Sequence, residues 1–285
     1  MRILVTGSNG QVGTELARSL APIGEVMLAD RALLDLSNEH AMRRVLRELK
    51  PEVIVNAAAY TAVDRAESEP ELAMQINARA PGVLGEEAKR LGALLVHYST
   101  DYVFDGTKAA PYVEDDAPHP LNVYGRSKLE GELAIAASGA RHLILRTSWV
   151  YGARGRNFLF AILARARSGE PLRVVADQLG APTSSAAIAQ GTAQLISRLR
   201  ALSGAEGLYH FTAQGETSWH CFAQAIVAGA GLKVEVAPIA TSEYPTAARR
   251  PMNSRLDNGK LERVFGLRLP DWRTQLDEVL LQLRA

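Results

Sequence analysis

Ile3-Leu4-Val5-Thr6-Gly7-Ser8-Asn9-Gly10-Gln11-Val12-Gly13 follows Met1-Arg2 directly. The apolar run reads as a short buried strand, and Glu15 to Leu20 reads as the helix beyond it. Gly7, Gly10 and Gly13 between them make a strand, glycine turn, helix unit. Such glycines let the backbone approach a pyrophosphate, and the helix N-terminus offers N–H donors and a partial positive charge. The pattern is informative because it lies where a dinucleotide fingerprint must lie, after a strand and before a helix. The competing reading is a tight turn with incidental glycines.

Working outward, Val26-Met27-Leu28-Ala29 is a second strand ending at Asp30, at a spacing that suits the acid that binds an adenosine ribose. An aspartate that merely ends a strand is the alternative. Asp35-Leu36-Ser37 precedes a helix expected over 39–50, with Ser37 as its N-cap, in a loop placed to flank an adenine. Val53-Ile54-Val55-Asn56 is the third strand, and the small residues Ala57-Ala58-Ala59 then Tyr60-Thr61 leave room for a ligand at its carboxyl end. Helical patterns over 71–77 and 82–91 lead to a fourth strand, Leu94-Leu95-Val96-His97-Tyr98, which delivers Ser99-Thr100-Asp101 to the same edge. A fifth strand covers 142–146. This alternation predicts an α/β fold, a doubly wound parallel (Rossmann) sheet. His97 reads as a packed strand histidine.

Beyond Thr147 the pattern loosens. Helices are expected over 158–167, up to Leu199, over 219–228 and over 272–283, with a strand over 207–211. The expected division is a dinucleotide-binding domain over 1–148, to which about 204–228 returns, and a smaller C-terminal substrate-binding domain formed by 149–203 and 229–285.

Composition narrows the function classes. With 285 residues, 47% hydrophobic and 22% charged, the chain can bury a substantial core. A net charge of +1 gives no general attraction to nucleic acid or anionic membrane, and neither is expected as a partner. The lone Cys221 excludes an internal disulfide and a cysteine-based zinc site, and its apolar surroundings predict a buried small hydrophobe. No stretch reads as a signal peptide or membrane span, which predicts a cytoplasmic protein.

The chemistry centres on Asn122-Val123-Tyr124-Gly125-Arg126-Ser127-Lys128. Residues four apart share a helix face, so Tyr124 and Lys128 point the same way. A cation beside a phenol favours the phenolate, and such a pair can move a proton to or from an oxygen at neutral pH. The same spacing also describes a tyrosine lying over a lysine stem on a solvated face.

The glycine turn, a Ser/Thr ending the fourth strand and Tyr-x-x-x-Lys together resemble the extended short-chain dehydrogenase/reductases. Tyr98-Ser99-Thr100-Asp101-Tyr102-Val103-Phe104-Asp105-Gly106, Pro120 to Gly125, Arg146 to Tyr151, Gly180-Ala181-Pro182-Thr183 and Arg250-Pro251 with Asn253-Ser254 are similar to the dTDP-4-dehydrorhamnose reductase family. That resemblance implies NADPH-dependent reduction of the 4-keto group of dTDP-4-dehydro-β-L-rhamnose, with NADH also accepted. It implies that Tyr124 protonates the ketone oxygen, that Lys128 binds the nicotinamide ribose and lowers the tyrosine pKa, and that Thr100 hydrogen-bonds the same oxygen. Gly10, Gln11 and Val12 would line the pyrophosphate, Asp30, Asp35 and Leu36 the adenosine, and Ala59, Tyr60, Thr61 and Tyr98 the path to the active site. Asp101 and Trp149 would touch the sugar nucleotide, although a core role for Trp149 stays open. Arg249 and Arg250 would meet the substrate diphosphate or surface carboxylates. Some family members form a metal-linked dimer through carboxylates that include one just after Gly-Ala-Pro-Thr. Here Ser184-Ser185-Ala186-Ala187-Ile188 holds none, which predicts no metal and a monomer or weak homodimer. The rival readings are another nucleotide-sugar reductase, epimerase or dehydratase, and a non-catalytic nucleotide-binding regulatory subunit.

Overall fold

The computed structural model describes residues 1–199, 202 and 204–284. In order the elements are β1 (Arg2–Thr6), α1 (Gln11–Leu20), β2 (Glu25–Ala29), α2 (Glu39–Leu49), β3 (Val53–Asn56), α3 (Val63–Ala66) and α4 (Pro70–Met74). A π-helical turn (Gln75–Arg79) runs into α5 (Ala80–Leu91), followed by β4 (Leu94–Thr100), α6 (Val123–Ser138), β5 (His142–Thr147) and β6 (Val150–Tyr151). Then come α7 (Phe158–Arg167), β7 (Leu172–Val175), β8 (Leu179–Gly180), β9 (Thr183–Ser184), α8 (Ser185–Leu199) and β10 (Gly207–His210). The chain closes with β11 (Thr217–Ser218), α9 (Trp219–Gly229), β12 (Val236–Ile239), α10 (Gly259–Phe265) and α11 (Trp272–Gln282).

Six strands form one sheet in the order β10-β5-β4-β3-β1-β2, parallel throughout. Strands buried on both faces need apolar residues at nearly every position. Ile3, Val5, Val53, Val55, Val96 and Leu145 pack on one face with α1, α8 and α10. Leu4, Ile54, Leu95 and Ile144 pack on the other with α2, α5 and α6. The chain reverses direction across the sheet between β1 and β3. The glycine turn after β1 and the Ala57–Thr61 stretch after β3 therefore flank the switch point, where ligands bind in such sheets.

A second core gathers Leu159, Ile162 and Leu163 of α7, Phe222 and Ile226 of α9, Trp272 and Leu276 of α11, and Leu172 and Val236 of the paired strands β7 and β12. Helix packing cuts across the division expected from sequence. α8 and α10 join the sheet core and α9 joins the second, because their apolar faces match those surfaces. The expected boundary at residue 203 lies outside the described residues.

Several local expectations are corrected. α1 begins at Gln11 rather than Glu15. The N-cap of α2 is Asn38, whose side chain accepts from Ala41 N, while Ser37 instead donates to Asp35. Cys221 is exposed, because Phe222, Ala223 and Ile226 carry the buried stripe of α9. Among the described residues, no helix is long and apolar enough to cross a membrane.

Candidate active site

The glycine turn is shaped by contact with its own helix. Gly7 has φ +64°, and a Cβ there would meet Ala58 backbone at 2.8 Å. A Cβ on Gly13 would lie 2.1 Å from Gly7 O, so α1 can seat against the turn only with glycine there, while Gly7 is required by its positive φ and the Ala58 backbone. The first N–H groups of a helix have no intrahelical acceptor. In α1 no side chain caps them and no acid stands in the first turn. An anionic diphosphate fits this end of the helix. Gln11 Oε1 accepts from Asn157 Nδ2 at 2.8 Å, which ties the turn to the start of α7.

Asp30 directly follows β2, and its Oδ1 accepts from Ala32 N and Leu33 N at 3.0 and 3.1 Å. Asp35 is held below the usual carboxylate range, chiefly by the Ser37 N–H. Arg31, largely exposed, lies 3.6 Å from Asp35. Leu36 is buried in the core beside Leu34 and Met42, so its side chain is committed to packing. Ala59 and Tyr60 are half-buried and Thr61 is exposed. The Tyr60 backbone is gripped by Asn77, which accepts from Tyr60 N and donates to Tyr60 O and Ser127 Oγ. Asn77 sits in the π-helical turn, a distortion frequent at functional sites. Gly131 of α6 makes room for its carbonyl, since a Cβ there would lie 2.1 Å from Asn77 O. The Tyr98 hydroxyl turns to Thr192 of α8 at 2.7 Å.

The catalytic candidates converge at the carboxyl end of β4. α6 starts there because Asn122 caps it, accepting from Gly125 N at 2.7 Å while its Nδ2 donates to Arg249 O. Tyr124 packs edge-on against Tyr102 at 5.8 Å. Burial pushes its phenol up to about 12, against the pull of the Thr100 hydroxyl and with a further push from Asp101. Thr100 Oγ1 donates to Asp101 Oδ1 at 3.0 Å. Asp101 is buried and pushed up to about 7, with hydrogen bonds from Ser254 and Thr100 opposing.

Lys128 reaches back to β4. Its Nζ donates to Tyr98 O at 2.6 Å and lies 3.1 Å from His97 Nε2. Burial dominates at the Tyr124 phenol, which is raised. Lys128 itself is 2% exposed, and burial brings its ammonium down to about 8 while Glu132 pulls it up.

A cleft of about 760 Å³ adjoins this site and reaches Leu121 and Arg250. Cationic Arg165, Arg173, Arg249 and Arg250 and aromatic Phe158, Trp219 and Tyr244 line it. Arg250 donates to Asp64 at 2.7 and 3.1 Å, and Asp64 also accepts from Ala248 N. Trp149 has φ +50°, unusual for a bulky residue. Its ring stacks on Trp219 at a centroid distance of 3.7 Å and presses on Gly180, where a Cβ would lie 2.5 Å from it. Trp219 thus faces the cleft with Trp149 behind it. The sequence reading missed Trp219, Asn77 and Asp64.

The whole chain, residues 1–285, matches the family described as RmlD substrate binding domain. The chain belongs to this family. It is 53% identical to a dTDP-4-dehydrorhamnose reductase of Burkholderia thailandensis over 285 residues, 96% of each chain. It is 44% identical to that of Escherichia coli K12, over 99% of this chain and 98% of the relative. A dTDP-4-dehydrorhamnose reductase structure from Clostridium acetobutylicum superimposes with TM-score 0.95 at 38% identity, covering 100% of both chains. One from Bacillus anthracis in complex with NADP gives 0.92 at 37%, covering 99% of both. RmlD-family membership thus rests on full-length agreement of sequence and fold. Among the described residues, no group of three or more His, Cys, Asp or Glu is placed to hold a metal.

Proposed function

We propose that the chain reduces the 4-keto group of dTDP-4-dehydro-β-L-rhamnose to give dTDP-L-rhamnose, using NADPH and also NADH. The observation that carries this reading is Thr100, Tyr124 and Lys128 gathered beside a glycine turn free of acidic side chains, in a chain of this family. The reduced nicotinamide supplies a hydride when bound. Tyr124 then gives its proton to the developing alkoxide, a role that suits a group still protonated at neutral pH. Thr100, beside the phenol, orients the carbonyl oxygen. Lys128 holds the nicotinamide ribose, Gly10 to Gly13 the diphosphate, and Asp30, Asp35 and Arg31 the adenosine end. In the cleft, the arginines meet the substrate diphosphate and the aromatic rings its base and sugar. The sheet with α1–α6, α8 and α10 forms the dinucleotide-binding unit, and the second core the substrate-binding unit.

Dehydration on this fold needs a further carboxylate after the active-site threonine and aspartate. Tyr102 stands there, and burial together with Asp101 keeps its phenol protonated above the ordinary range. A phenol so held is a poor base. The test is stoichiometry: one reduced cofactor is consumed per sugar product. Dehydration of dTDP-glucose with no net change in cofactor would overturn the reading.

A further inference from the structure

Thr6, Asn56 and His97 are directly paired positions on β1, β3 and β4, so their side chains form a polar row across one sheet face. Apolar Leu4, Ile54 and Leu95 precede the row on the three strands, and Ser99 follows His97 on the same face of β4. Thr6 Oγ1 lies 2.6 Å from Asn56 Oδ1, and Asn56 Nδ2 lies 2.9 Å from His97 Nδ1. His97 Nε2 ends the row at Lys128 Nζ. All four side chains are buried, His97 to 1% exposure. The row starts at the glycine turn, where Ala58 N donates to Thr6 Oγ1, and it finishes under the active-site helix.

Amide O and N have the same shape, so the row fits two hydrogen-bond directions. With the Asn56 NH₂ facing His97, the ring proton sits on Nε2 and meets a second donor unless Lys128 is neutral. With the amide oxygen facing His97, the proton sits on Nδ1 and the Nε2 lone pair accepts from a charged lysine. The second direction leaves Asn56 NH₂ to donate to Thr6 Oγ1. With Lys128 an ammonium, only this direction avoids two donors facing each other at Nε2; its cost is the Thr6 hydroxyl hydrogen, which loses Asn56 Oδ1 as acceptor.

We propose that His97 is a positioning residue for Lys128: held as the Nδ1–H tautomer by Asn56, it accepts through Nε2 and keeps the lysine charged and aimed from the sheet. This rests on the role given to Lys128 under the proposed reaction. Burial, with the charge of Lys128, holds the His97 pKa well below its ordinary value, so the ring is the neutral acceptor required. The other groups around Lys128 are accounted for. Tyr124 is one turn before it, and Glu132 one turn after is ion-paired with Arg146 of β5 at 2.6 Å. Asp101 and Tyr102 follow β4, and Asp64 of α3 is neutralised by Arg250. Of the elements packed on α6, the π-helical turn carries Arg79, which is exposed, and α5 carries Glu87, which pairs with Arg43 and Arg47.

The test compares His97→Leu with His97→Gln, whose amide oxygen can stand near the Nε2 position. In the protein without substrate, NMR titration of the Lys128 side chain should show the pKa falling by a pH unit or more in the Leu variant and staying near wild type in the Gln variant. NADPH affinity, followed by its fluorescence, should weaken in the Leu variant and recover in the Gln variant. The basic limb of kcat/KM should move to lower pH in the Leu variant alone. A folded Leu variant with an unchanged Lys128 titration and an unchanged basic limb overturns the proposal. So does a wild-type ring found by ¹⁵N NMR as the Nε2–H tautomer at neutral pH. A uniform loss of stability and rate at every pH would mark a packing role and also overturns it. The titration reads no turnover, so it stands apart from failure of the proposed reaction.

Discussion

Tyr124→Phe isolates the proton donor. The ring packs against the cluster of Ala66, Ala73 and Val123 and edge-on against Tyr102, and all these contacts survive in phenylalanine. What is lost is one hydroxyl and its hydrogen bonding with Thr100. A neutral hydrogen bond contributes about 1 kcal/mol net, so folding stability should change by about that or less. The rate should respond very differently. General acid catalysis contributes on the order of 10²–10⁴-fold, which corresponds to about 3–5 kcal/mol of transition-state stabilisation. The assay is single-turnover oxidation of bound NADPH on mixing with the keto-sugar, beside NADPH binding and thermal melting. The expected outcome is near-normal binding and melting with a collapse of the hydride-transfer rate. A folded, cofactor-binding variant with near-wild-type kcat would refute the assignment of the proton to Tyr124.

Three further outcomes follow from the geometry. Lys128 loses its proton as pH rises through about 8, so kcat/KM should fall on that side, by about tenfold for each pH unit beyond it. Its folded pKa lies below the unfolded value of 10.5, so the unfolded chain binds more protons between those values; this group then adds stability as pH rises from 8, opposite to its effect on rate. A basic limb at pH 10 or above would contradict the first point. Arg31→Ala should weaken kcat/KM for NADPH roughly tenfold or more, the worth of a charge-assisted hydrogen bond, and spare NADH; equal losses for both cofactors would remove Arg31 from the 2′-phosphate. Light scattering with and without EDTA should agree, because Ser184 and Ser185 are buried and offer no carboxylate to a shared metal, with Ser184 Oγ accepting from Ala187 N; a reversible dimer-to-monomer change on chelation would contradict this.

Much of the fold was legible because it is written in short-range pattern. Buried parallel strands need continuous apolar runs, and β1, β3 and β4 each show one of three consecutive residues. The glycine turn, Thr100, Tyr124 and Lys128 were legible because their spacing is local. What escaped is what depends on pairing between distant strands. Thr6, Asn56 and His97 look unrelated along the chain, and His97 reads as packing until the register sets the three side by side. Asn77 lies in a π-helical turn, which leaves no mark on helical periodicity. β7 and β12 pair across more than sixty residues, and α10 is too short to show a clear apolar repeat. The contacts of Lys128 escape for the same reason: position i+4 sets its face, but the acceptors on β4 decide where its long side chain ends.

Burial moves the titratable groups of this site in one sense, toward their neutral forms. It raises Tyr124 and Asp101 and depresses Lys128. That is the behaviour of a low-dielectric pocket whose charges lack partners. A dinucleotide diphosphate brings negative charge to the end of α1, which favours the cationic form of Lys128. A cation there, in turn, favours the phenolate that Tyr124 leaves behind when it gives up its proton. The lysine is held on the sheet side by Tyr98 O and His97, at the end of the polar row that meets α6, while Thr6 at the other end opens the glycine turn. Proton release from the phenol is therefore costly in the buried site and less so where Lys128 carries its charge. That coupling suits an enzyme whose one proton transfer must accompany one hydride transfer.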